Sequence, residues 1–126
     1  MGTWGFAPWD NDAAADWYGE LFDEIPLAAK VEETLNGDPE EYAAEIRAAS
    51  ALLILLGLTY IWPSDDINRH LKLAISQMDR VHATYQDEPE VAAAVADEIA
   101  LLKSRQANTQ DASVLAQPTR WGNFWS

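Results

Sequence analysis

The stretch Ala48–Trp62 is apolar apart from Ser50, Gly57 and Thr59. At fifteen residues it falls short of the ~20 consecutive apolar residues that span a bilayer as a helix. A helix apolar on every side instead belongs at the centre of a bundle, covered by neighbours that are apolar on one side only. The rest of the chain supplies such neighbours. Ala14, Trp17, Tyr18, Leu21 and Ile25 recur at helical steps, as do Ile67, Leu71, Ala74, Ile75, Met78, Val81, His82 and Tyr85, and then Val91, Val95, Ile99 and Leu102. This period of three and four residues marks one apolar face per helix. No segment alternates as a strand does. The fold class that follows is all-α, a single-domain bundle of four to five helices with an aromatic N-terminal arm and an extended C-terminal tail.

Punctuation residues set the expected bounds. Asp10 is placed to cap the first helix, about 11–24, with Trp9 before it as a hydrophobic staple and Asp12 in the first turn, where acids suit the helix dipole. Pro26 interrupts. A second helix, 27–35, ends at Asn36-Gly37. Asp38-Pro39-Glu40-Glu41 then reads as an N-cap, a proline at the first helical position and a capping-box glutamate, which predicts a third helix over 39–61 carrying Tyr42, Ile46, Ala49, Leu53, Leu56 and Tyr60 inward. Pro63 stops it and Ser64 caps a fourth, 65–86. Asp87-Glu88-Pro89-Glu90 repeats the capping pattern for a fifth, 89–105, which closes a helical domain of residues 1–105. Short loops between long helices favour antiparallel neighbours.

Both ends of the chain are aromatic. Trp4, Phe6 and Trp9 form an arm over residues 1–9 whose apolar area demands a pocket, while Gly2 and Gly5 permit turns closed to other residues. Residues 106–126 lose helical periodicity, retain Val114 and Leu115 as anchors and finish on Arg120, Trp121, Phe124 and Trp125. Arg and Trp dominate interface hot spots, so this terminal set is a candidate partner-binding anchor. Docking of the same rings on the protein's own bundle is the preferred expectation. Trp4, Trp9, Asp10, Trp17, Asp38 and Asp87 are assigned structural roles.

The opening Met1, Gly2, Trp4, Gly5, Trp9, Asp10, Asn11, Asp12, Ala15, Asp16 and Trp17 resembles that of the small bacterial proteins grouped as domain-of-unknown-function family 4259. Their chains open Met-Gly-x-Trp-Gly, followed by an aromatic and an Asp/Glu-Asn/Asp-Asp run. This chain has Ala7 where the family usually has Gly, and Trp9 where it usually has Phe. The resemblance covers about seventeen residues closely and the helical remainder loosely. It implies a small bacterial domain and brings no activity with it.

The net charge of −13 is unevenly spread, with twelve acidic side chains against the single Lys30 in residues 1–45 and nine against seven in the remainder. Such a field repels nucleic acid phosphates and anionic lipid headgroups, which argues against a nucleic acid or membrane partner and favours a basic protein. Glu20, Asp23, Glu24, Glu32 and Glu33 are the candidate contact residues. The absence of cysteine removes disulfides, thiolate metal sites and a cysteine nucleophile, and fits a cytoplasmic location, as does an N terminus without a basic and apolar leader.

Chemistry-bearing clusters are few. Asp12 and Asp16 lie one helical turn apart and, with Asp10, form the only weak candidate metal set; helix capping accounts for them without a cation. No cofactor is expected. His70 and His82 sit about 120° apart around one helix and cannot share a metal from it. Asp66 and Asp79 precede them by four and three residues and are the expected partners of their rings, with His82 on the apolar face the more suggestive of the two. There is no nucleophile elbow, phosphate-binding glycine loop, His-Glu-x-x-His or dinucleotide fingerprint. The reading is a non-catalytic acidic protein-binding module, immunity-like or inhibitor-like. A carboxylate and histidine enzyme or ligand-binding protein is the alternative, and a structural homo-oligomer the second.

Overall fold

A computed structural model describes residues 12–58 and 61–107. It contains five helices: α1 (Asp12–Glu24), α2 (Leu27–Leu35), α3 (Ala43–Leu56), α4 (Ile67–Thr84) and α5 (Pro89–Ala107), with no strand among the described residues. The strongly apolar α3 is central and packs on α2, α4 and α5, while α4 also lies along α5 and touches α2. Leu35, Ile46, Leu53, Ile54, Leu71, Met78, Val81, Val95 and Leu102 interlock as the core. Phe22 brings α1 onto this core, its ring centre 5.2 Å from that of Trp62 in an edge-to-face arrangement.

Helix starts depart from the expected caps for local reasons. The Asp38 carboxylate accepts from the Glu40 amide at 3.0 Å, and its carbonyl accepts from Glu41 and Tyr42 at 3.1 and 2.8 Å. This capping chemistry therefore closes a separate turn. α3 begins only at Ala43, where the Tyr42 carbonyl takes the first helical bond from Ile46. Ser64 is likewise displaced: Pro63 accepts from Asp66 and Ile67, so Asp66 stands at the α4 N-cap, and its side chain makes no capping bond. At α5 the Glu88 carbonyl accepts from Ala92 at 2.9 Å, which leaves Asp87 one residue outside the cap.

The end of α3 also differs. It stops at Leu56 rather than at Pro63, because Gly57 brings the chain close over the last turn: a Cβ at that position would lie 2.3 Å from the Leu53 carbonyl oxygen. Beyond it, the amides of Ile61 and Trp62 both donate to the Leu58 carbonyl. α2 ends at Leu35, with the Asn36 amide and side chain both on the Glu32 carbonyl and Gly37 on Thr34.

Two helix C-termini are closed from a distance. Gln77 of α4 donates its amide to the carbonyls of Leu35 and Gly37 at 2.7 and 2.8 Å, over the end of α2. Arg105 of α5, 3 % exposed, donates its Nε–H and Nη2–H to the Ile54 carbonyl at 3.2 and 2.8 Å, over the end of α3. Terminal carbonyls lack partners within their own helix, so a buried donor from a neighbour satisfies them and fixes the packing at once. Arg47 and Glu98 tie α3 to α5 by two parallel bonds of 2.7 Å. Within α3, the buried Ser50 hydroxyl has no partner.

The aromatic stripe expected on α1 is rotated. Trp17 is 58 % and Ile25 52 % exposed, while Tyr18, Leu21 and Phe22 are half-buried. Tyr42, expected inward, is 43 % exposed because it lies in the turn before α3 and not on the helix.

Candidate functional site

The histidines exchange the ranks that spacing suggests. His70 is 1 % exposed and His82 only half-buried. The indole Nε1–H of Trp62 donates to His70 Nδ1 at 3.1 Å, so Nδ1 is an acceptor and the ring proton sits on Nε2, which donates to Glu32 Oε1 at 2.8 Å. Asp66 does not orient this ring. It binds Arg69 instead, whose guanidinium bridges Asp66 and Glu32. The result is a continuous chain from Trp62 through His70 and Glu32 to Arg69 and Asp66, which joins α2 to α4 and to the segment before α4.

The electrostatics follow from these bonds. The donors from His70 and then Arg69 hold the Glu32 carboxyl below its ordinary range. Asp66 and Glu32 together raise the Arg69 guanidinium, Asp66 more strongly. Of the candidate contact acids, Glu32 is the one whose Oε1 accepts from both His70 and Arg69 within the fold. Both nitrogens of His70 are also taken, and its ring is closed to solvent, so it positions neighbouring groups and meets no external molecule in this arrangement. The residue type was visible in the sequence, but its partner lies thirty-eight positions away on another helix, beyond the reach of spacing within one helix.

The other candidate contact acids face water. Asp16, Glu20, Asp23 and Glu24 of α1 are exposed, as are Glu33, Glu40, Glu41 and Glu45. Glu33 meets Lys30 at 3.8 Å, with both side chains largely in solvent. Asp10 and the terminal set Arg120, Trp121, Phe124 and Trp125 lie outside the described residues, as do Trp4 and Trp9 and most of the motif that resembles family 4259. Among the described residues no three His, Asp or Glu side chains converge as metal ligands, and no helix is long and apolar enough to cross a membrane.

One concave feature lies within this acidic region. A groove of about 370 Å³ runs between the last turns of α2 and the turn before α3, lined by Lys30, Glu33, Thr34, Gly37, Tyr42 and Glu45. Gly37 lies close under its neighbours: a Cβ there would come within 3.2 Å of both the Tyr42 ring and the Thr34 carbonyl. The Thr34 hydroxyl donates its proton to the Lys30 carbonyl at 2.9 Å, which leaves its oxygen to act as an acceptor. Comparison with protein-family models, with curated proteins and with solved structures finds no match for this chain.

Proposed function

We propose that the protein is a non-catalytic binding module whose acidic α1–α2 region docks on a basic protein, in the manner of an immunity protein or inhibitor that neutralises a cationic target. The observation that carries this reading is the register of α1. Asp16, Glu20 and Glu24 follow at four-residue steps along one exposed stripe, and Trp17 lies beside them, 58 % exposed. Acid supplies long-range attraction and the ring supplies contact area, the pairing that interfaces use for encounter and anchorage respectively. The rival in which Asp10, Asp12 and Asp16 work with a histidine from α4 loses His70, both of whose nitrogens are engaged, and is left with His82.

The test is association kinetics with a co-purifying basic protein across a salt series. Exposed charges are screened beyond about 8–10 Å at physiological ionic strength, so the on-rate should fall as salt rises, and should fall further in a Glu20→Gln, Asp23→Asn, Glu24→Gln variant. An on-rate indifferent to both salt and these substitutions would refute electrostatic recognition.

A further inference from the structure

We propose that the groove between α2 and the turn before α3 seats an arginine side chain of the basic partner. The proposal rests on the binding reading above and assigns the residues that read the positive charge. Four features of the groove agree on its occupant. Glu33 and Glu45 contribute two exposed carboxylates at the lining. The Thr34 oxygen, its proton already spent on the Lys30 carbonyl, can only accept. The α2 C-terminus ends at the groove, and the negative end of a helix dipole attracts cations.

The fourth feature separates arginine from other cations. Tyr42 is 43 % exposed and its ring lies against Gly37, so an aromatic surface borders the acceptors. A guanidinium is planar, carries five donors and stacks on an aromatic ring, whereas an ammonium is a strongly hydrated point charge. A wall of one ring beside several acceptors therefore favours arginine over lysine. Lys30 is the one opposing charge in the lining, and its ammonium is directed to Glu33. An incoming arginine replaces Lys30 as the partner of that carboxylate, a displacement that costs little because both side chains are solvent-exposed.

The test uses the full chain, isotope-labelled and titrated at low salt with a nine-residue peptide of arginine spaced by glycine and serine. Matched peptides carry lysine in place of arginine, and argininamide serves as the small-molecule probe. The arginine peptide should shift the amides of Thr34, Gly37, Tyr42 and Glu45 most, and the lysine peptide should bind more weakly. Tyr42→Ala should raise the Kd about three- to fivefold, the range expected for an exposed cation–π contact, and Tyr42→Phe should restore it. Glu45→Gln should weaken binding more than Glu20→Gln, which removes the same charge from α1.

If the two glutamine variants behave alike and Tyr42→Ala changes nothing, the groove assignment falls while general recognition of basic proteins stands. If no cationic peptide shifts any amide, both fall. Argininamide that binds as tightly as the peptide would replace the protein side chain by a small cation as occupant and so overturn the proposal. Tyr42 lies outside the core, so the amide spectrum of each variant reports directly that the fold is retained.

Discussion

At the scale of single residues, three positions carry consequences that their neighbours do not predict. Ser50 buries a hydroxyl without a partner in the middle of α3, and such a group costs its full desolvation. Ser50→Ala should therefore stabilise the protein by about 1 kcal/mol, seen as a higher midpoint in chemical denaturation. Gly57 is held by space: an added methyl would sit 2.3 Å from a backbone oxygen. Gly57→Ala should cost about 1–3 kcal/mol, as overpacking does, and a variant of unchanged stability would show that the end of α3 adapts freely. Glu32 sets a pH dependence. Its folded carboxyl titrates below the ordinary value near 4.5, so the stability it contributes is complete above that value and lost as pH falls through the lower folded value. The stability difference between wild type and Glu32→Gln should thus shrink as acid is added below about pH 4.5, and a difference that stays constant would show that His70 and Arg69 do not favour the ionised form.

At the scale of elements, the helices close by tertiary contact more than by their own termini. α2, α3 and α4 have no side-chain bond at the N-cap, whereas α2 and α3 are finished by Gln77 and Arg105 from elsewhere. Gln77→Met keeps the volume and removes two donors to buried carbonyls. It should cost about 1–3 kcal/mol and speed amide exchange in the last turn of α2; a variant as stable and as protected as wild type would show that water replaces the donor. This arrangement explains what was legible in the sequence. Helical period revealed the elements and the apolar faces, because burial of a face imposes the period directly. Asp38 and Ser64 misplaced the starts of α3 and α4, because a capping residue serves a turn as readily as a helix and nothing local distinguishes the two, whereas the Asp87 pattern set the start of α5 at Pro89, where it begins. Gln77 and Arg105 left a faint signal as polar residues within an inward register. Their carbonyl targets had none, and neither did the pairing of His70 with Glu32, since cross-helix partners carry no fixed spacing. Of the candidate contact surface, the acid of α1 was legible from composition. The groove at Tyr42 was not, because it depends on a turn whose residues carry the pattern of a helix start.

At the scale of the whole molecule, a central apolar helix is wrapped by neighbours whose charge is concentrated in residues 1–45, where twelve acids meet one lysine. Crowded like charge opposes compaction, and dissolved salt screens it. The melting temperature should therefore rise with moderate sodium chloride, measured by calorimetry; a fall would mean that the Arg47–Glu98 and Arg69–Glu32 pairs outweigh the repulsion. The distant closure of α3 also has a bearing on the order of events at the ribosome. The strongly apolar α3 is made before α4 and α5, which cover it, and its last carbonyl turn waits for Arg105, fifty-one residues beyond Ile54. At synthesis rates of about 5–20 residues per second, that segment spends roughly 3–10 seconds without its intended cover. The nascent chain passes through an adhesive interval set by topology, during which the acidic leader that precedes α3 is the part of the molecule best able to keep it dispersed.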